Sequence, residues 1–80
     1  MNTVKIMLPT IEDAKEFVKR AGQCDFDIDV CYNRIVIDAK SILGVLSLDL
    51  RNPLTIQCNG YDRDFDDYLQ ELHHKASFAA

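Results

Sequence analysis

Eighty residues, 48% of them hydrophobic and 28% charged, are enough for one small core, since a chain of this size buries roughly 60–65% of its unfolded surface. A net charge of −4 with scattered Lys and Arg argues against nucleic acid as the main partner, because phosphate backbones demand clustered cations. No apolar run nears the roughly 18 residues of a membrane span, and Met1–Lys5 lacks the apolar core of a signal peptide, so a cytoplasmic protein with no membrane partner is expected.

In chain order, Val4, Ile6 and Leu8 alternate with Thr3, Lys5 and Met7, which predicts a half-buried strand that Pro9 ends. Thr10-Ile11-Glu12-Asp13 forms a variant capping box with Asp in place of the usual Glu or Gln, and Ile11, Ala14, Phe17, Val18 and Ala21 share one helical face. Glu12 and Asp13 at the start, Lys19 and Arg20 at the end, and Gly22 beyond agree with the helix dipole and its termination. The next strand spans Phe26 to Tyr32, with Phe26, Ile28, Val30 and Tyr32 on one face. Asn33-Arg34 has hairpin spacing before the returning strand Ile35 to Asp38. A type I′ turn wants glycine at its second position, so Arg34 at positive φ is expected to cost roughly 1 kcal/mol.

Ser41 follows this strand and precedes an apolar segment with helical spacing, which makes it an N-cap worth about 1 kcal/mol. A phosphate added there would meet unpaired N–H groups and the positive end of the helix dipole, so a simple cap and a modification site are both open readings. Leu43, Leu46, Ser47 and Leu50 lie on one side of the short helix and Ile42, Val45 and Asp49 on the other. Apolar groups in so many directions cannot all be buried, and an exposed patch for partner docking or self-association is expected.

Asn52-Pro53 reads as a turn, and Leu54 to Cys58 as a last strand with Leu54, Ile56 and Cys58 inward, closed by Asn59-Gly60. Phe65, Tyr68, Leu69 and Leu72 then mark an amphipathic helix from about Asp64. Beyond His74 the chain is expected to fray, giving a domain over 1–74 and a tail over 75–80. Cys24, Cys31 and Cys58 are odd in number without C-x-x-C spacing, which reads as reduced thiols. The run Asp62, Asp64, Asp66, Asp67 lacks the Gly and Glu that a calcium loop needs at its sixth and twelfth positions, and the adjacent His73 and His74 point some 100° apart and are read as surface residues. No metal, cofactor or catalytic constellation is legible, so no enzyme is expected.

The order β-α-β-β-α-β-α fits an α+β fold, a four-stranded antiparallel sheet with three helices on one face. A ferredoxin-like split motif is the nearest competitor, and the short middle helix counts against it.

The stretch Lys40-Ser41-Ile42-Leu43-Gly44-Val45-Leu46-Ser47-Leu48 resembles the regulatory-serine segment of HPr, the histidine phosphocarrier of the bacterial sugar phosphotransferase system, in its Gram-positive form. The order of elements matches from about Thr3 to Leu72, with Tyr32-Asn33 at the hairpin and Leu54-Thr55-Ile56 and Gly60 at the last strand. The resemblance implies an HPr-like open-faced β-sandwich. In that family a phosphorylated histidine begins the first helix, and an arginine two residues later holds the phosphate. Counting back from Phe17-Val18, these positions fall on Thr10 and Glu12.

A phosphothreonine ester lacks the labile P–N bond of a phosphoimidazole, and Glu12 repels the phosphoryl group that an arginine would hold. The resemblance therefore implies a regulatory or adaptor relative that does not relay phosphate from phosphoenolpyruvate. It implies Ser41 as the target of an ATP-dependent HPr kinase, and Lys40, Ile42, Leu43 and Leu46 as the docking surface for that kinase or for a transcriptional regulator in carbon catabolite control. The alternative is an HPr-fold structural, oligomerisation or small-ligand-binding module with no phosphotransfer link, a homodimer among its forms.

Overall fold

The computed structural model describes residues 2–76. Its elements are β1 (Asn2–Ile6), α1 (Ile11–Gly22), β2 (Ile28–Tyr32), β3 (Ile35–Asp38), α2 (Ile42–Leu46), β4 (Leu54–Cys58) and α3 (Arg63–Lys75). The strands form one antiparallel sheet in the order β1-β4-β2-β3, so β4, last in sequence, sits between β1 and β2.

The alternation seen in the sequence divides the two faces of this sheet. Residues directly opposite in register share a face, and Val4 meets Ile56, Ile6 meets Leu54, Val30 meets Ile56 and Ile28 meets Cys58. This face carries the buried Ile6, Ile28, Val30, Leu54, Ile56 and Cys58. The other face pairs Thr3 with Gln57, Lys5 with Thr55, Asp29 with Gln57, Asp29 with Asp38 and Cys31 with Val36, and it is mostly polar. Ala14, Phe17 and Ala21 of α1, Val45 of α2, and Phe65, Leu69 and Leu72 of α3 complete the core. The Phe17 and Phe65 rings meet at 6.1 Å between centroids, joining α1 to α3.

Each helix begins on a side-chain cap. Thr10 Oγ1 accepts from Asp13 N at 3.1 Å, Ser41 Oγ from Gly44 N at 3.2 Å, and Asp62 Oδ2 from Phe65 N at 2.9 Å. At α1 the box closes differently from the usual one, because the short Asp13 carboxylate accepts the Thr10 hydroxyl proton at 2.9 Å in place of a backbone N–H.

Several boundaries and orientations depart from the sequence reading. β1 ends at Ile6, yet Leu8 beyond it is fully buried, because the chain still crosses the core before Pro9. β2 starts at Ile28, and Phe26 instead covers Gly60, where an added Cβ would lie 2.5 Å from the Phe26 ring. α3 starts one residue earlier than expected, at Arg63. Among the described non-glycine residues only Asn33 has positive φ, at 54°, so the strain expected at Arg34 does not fall there; Asn tolerates this conformation well.

Ile11, assigned to the core face of α1, is 57% exposed; it is the first residue of the helix, whose buried residues begin a turn later at Ala14. His73 is half-buried and its Nδ1 lies 2.6 Å from the Lys5 carbonyl oxygen, so this ring bridges α3 to β1 and is not simply a surface group. α3 extends through Lys75 with Ala76 as its C-cap, and residues 77–80 of the expected tail lie outside the described residues. Cys24 and Cys58 are buried free thiols and Cys31 a half-buried one. No helix among the described residues is long and apolar enough to cross a membrane.

Candidate functional site

The approach to Ser41 is held from three directions. Ala39 is fully buried and its N–H donates to the Ile28 carbonyl at 2.9 Å, anchoring the end of β3. Asp38 turns the chain, its Oδ1 accepting from Lys40 N at 2.9 Å and its backbone oxygen from Ser41 N at 3.0 Å. Lys40 then reaches back to the loop after α1, where its Nζ donates to the Cys24 carbonyl at 2.9 Å. The residue expected to dock a partner is thus also a brace between two segments. Its ammonium lowers the Cys24 thiol pKa, but burial and then Asp62 act more strongly, and the net shift is upward.

Ser41 itself is exposed. Its Oγ caps α2 as an acceptor, and an accepting hydroxyl keeps its own proton for a base. Capping and chemical accessibility are therefore compatible at this residue. Gly44 permits the close approach of α2 to β3, since a Cβ there would stand 2.6 Å from Ile37 Cγ2 and 3.2 Å from Ser41 Oγ. α2 ends in a tight turn where Ser47 Oγ donates to the Gly44 carbonyl at 2.6 Å.

The apolar side chains of this segment separate sharply. Val45 and Leu48 enter the core, Leu43 is 81% exposed, and Ile42 and Leu46 are half-buried. Of the apolar members of the expected docking set, only Leu43 is exposed; Lys40 is exposed too but tethered through its Nζ. Helix α2 also packs on α1, whose first turn carries the exposed Ile11.

Thr10 and Glu12 are both exposed. The Thr10 hydroxyl both accepts from Asp13 N and donates to Asp13 Oδ2, so its oxygen is engaged in both senses by the helix start. Glu12 and Asp13 make that turn acidic. Both histidines of the sequence lie in the last turn of α3. Among the described residues no group of three or more His, Cys, Asp or Glu side chains is placed to hold a metal ion.

These features define an open-faced α+β sandwich with an exposed, capped serine at the head of its short middle helix. A family model described as the PTS HPr component phosphorylation site matches residues 11–75. The chain belongs to the HPr family. HPr-C-His from Thermoanaerobacter tengcongensis superposes with a TM-score of 0.77 at 23% identity, over 100% of this chain and 99% of that one. The phosphocarrier protein HPr from Bacillus anthracis str. Ames gives a TM-score of 0.65, also at 23% identity, over 91% and 93% of the two chains. At such identities the likeness is one of fold. No curated protein matches the sequence.

Proposed function

We propose that this chain is a regulatory or adaptor member of the HPr family that acts by protein–protein contact around Ser41 and does not relay phosphate. The observation that carries this reading is the contrast between the two helix starts. At α1 an engaged threonine hydroxyl sits in an acidic turn, where a phosphoryl group meets repulsion and, once esterified, has no labile bond to pass on. At α2 an exposed serine hydroxyl stands beside a protruding leucine with no acidic residue in the first turn.

Phosphorylation at Ser41 would add about −1.5 to −2 charge next to an apolar surface and bring acceptor oxygens to the unpaired N–H groups of α2. The surface formed by Lys40, Ile42, Leu43 and Leu46 then presents a charge and a hydrophobic knob together, which a kinase or transcriptional regulator can read. Incubation with an HPr kinase and ATP, followed by mass spectrometry, is expected to show one phosphate on Ser41 and none in Ser41→Ala. Incubation with phosphoenolpyruvate and Enzyme I is expected to leave the protein unlabelled. Label arriving at Thr10 from phosphoenolpyruvate, or no phosphate at Ser41, removes the reading.

A further inference from the structure

We propose that Asn59 is a site of spontaneous covalent modification in the folded protein: the Gly60 amide nitrogen attacks the Asn59 side-chain carbonyl carbon, and position 59 becomes aspartyl or isoaspartyl. The bond from Gly60 N to Asn59 Cγ forms, the Cγ–Nδ2 bond breaks, and the amide NH2 leaves as ammonia with the proton of the Gly60 N–H, which gives a cyclic imide. Water then opens the ring. Opening at the former side-chain carbonyl gives aspartate. Opening at the main-chain carbonyl gives isoaspartate, whose backbone runs through Cβ and Cγ and is one carbon longer.

The four asparagines of the sequence differ in what this chemistry needs. Pro53 offers Asn52 no N–H to react, and Asn52 Nδ2 already donates to the Asp49 carbonyl at 3.4 Å. Asn2 is followed within β1 by the β-branched Thr3, and Asn33 by Arg34, so at both a side chain crowds the attacking nitrogen. Only Asn59 precedes a residue without Cβ. Asn59 and Gly60 are both exposed. Among the described residues neither the Asn59 side chain nor Gly60 N makes a hydrogen bond, so none has to break before the two groups meet.

The surroundings give the product a consequence. Asn59 N donates to the Asp27 carbonyl at 2.9 Å, and Gly60 lies against Phe26, where even an added Cβ would stand 2.5 Å from the ring. The extra backbone carbon of isoaspartate has no room between these two contacts. It therefore displaces Gly60 and, two residues on, Asp62, whose carboxylate caps α3. No residue of the Ser41 segment takes part, and the proposal stands apart from the reading of that serine.

Incubation of the folded full chain at mildly alkaline pH, with peptide mapping by mass spectrometry, tests this. Position 59 is expected to gain the mass that exchange of an amide NH2 for OH brings, in two chromatographically separate products. The isoaspartyl product accepts a methyl group from a protein isoaspartyl methyltransferase, while Asn2, Asn33 and Asn52 stay intact. The folded chain is expected to react within about tenfold of the rate of the chain unfolded in urea, and Asn59→Gln stays unmodified over the same period. The isoaspartyl fraction unfolds at lower urea than fresh protein, whereas Asn59→Asp, which adds the charge without lengthening the backbone, unfolds close to it. Persistence of Asn59 in the folded chain, a folded rate more than about tenfold below the unfolded one, or earlier conversion of another asparagine overturns the proposal. An isoaspartyl fraction as stable as Asn59→Asp overturns the displacement of Gly60 and Asp62.

Discussion

Gly44 gives the sharpest test of how the Ser41 segment is packed. In a helix, Gly→Ala ordinarily stabilises by about 1 kcal/mol. Here the added methyl would stand 2.6 Å from Ile37 Cγ2 and 3.2 Å from Ser41 Oγ, and the Ile37 atom belongs to a β-branched side chain on a hydrogen-bonded strand, stiff at χ1. Overpacking of this kind costs roughly 1–3 kcal/mol, so the two effects leave a net destabilisation of about 1 kcal/mol, or about 4–8 °C in Tm for a domain of this size. Urea unfolding followed by circular dichroism measures it. Ile37→Leu moves the branch away from the contact, so the double variant with Gly44→Ala should show a coupling energy of about 1 kcal/mol in favour of the pair. A Gly44→Ala protein as stable as the wild type or more so, or additive effects in the cycle, refutes the close approach of α2 to β3.

The remaining tests address caps, surface and thiols. Asp62→Ala, which removes the acceptor for Phe65 N, should lower stability by about 1 kcal/mol, read as a lower urea midpoint with an unchanged slope. Leu43→Asp should leave the unfolding free energy within about 0.5 kcal/mol of the wild type, because its side chain is already in solvent, while abolishing capture of any partner that docks at Ser41. Burial, then Cys24 and Asp66, push the Cys58 thiol from 9.0 to about 11. The folded state therefore holds this proton more tightly than the unfolded chain, and stability should fall as pH rises from 9.0 through about 11. Titration of the urea midpoint over that range, with Cys58→Ala for comparison, checks the sign: the variant should show the shallower loss.

What the sequence made legible follows from which signals are periodic. Ile6, Ile28, Val30, Leu54 and Ile56 alternate at period two and all reach the core; Phe65, Leu69 and Leu72 repeat at helical spacing and do the same. Their pattern is set by burial itself, so it survives translation into structure. The misreadings concern positions where geometry at an element's end overrides its period. Ile11 keeps the helical spacing but stands exposed at the first residue of α1; Leu8 keeps the period of Val4 and Ile6 and is buried as that period expects, and only the ladder ends before it. The hairpin placed its positive φ on Asn33 alone, a choice of turn that composition leaves open.

The site was legible only in part for a different reason. Ser41 could be placed as a cap from local sequence, and its exposure agrees with that. The tether of Lys40 to the Cys24 carbonyl spans |i−j| = 16, and the contact of Gly44 with Ile37 joins a helix to a neighbouring strand. Neither leaves a trace in the order of residues, since both depend on where the loop after α1 and the end of β3 come to lie. The ring of His73 is a similar case, bridging to Lys5 across |i−j| = 68.

The position of β4 in the sheet carries a consequence for how the chain assembles. β2 and β3 are linked by a two-residue turn and pair as neighbours in sequence, whereas β1 finds its only ladder among the described strands with residues 54–58, near the other end of the chain. During synthesis, the first strand made waits without a partner until the fourth has left the ribosome, and non-local pairing of this kind is slow. The β2–β3 hairpin is the one piece of sheet able to form early, and the arrival of Leu54–Cys58 closes the sheet on both sides at once. Substitutions in β4 should therefore retard refolding more than equally destabilising ones in β1, a difference that stopped-flow kinetics on Ile56→Val and Val4→Ala resolves.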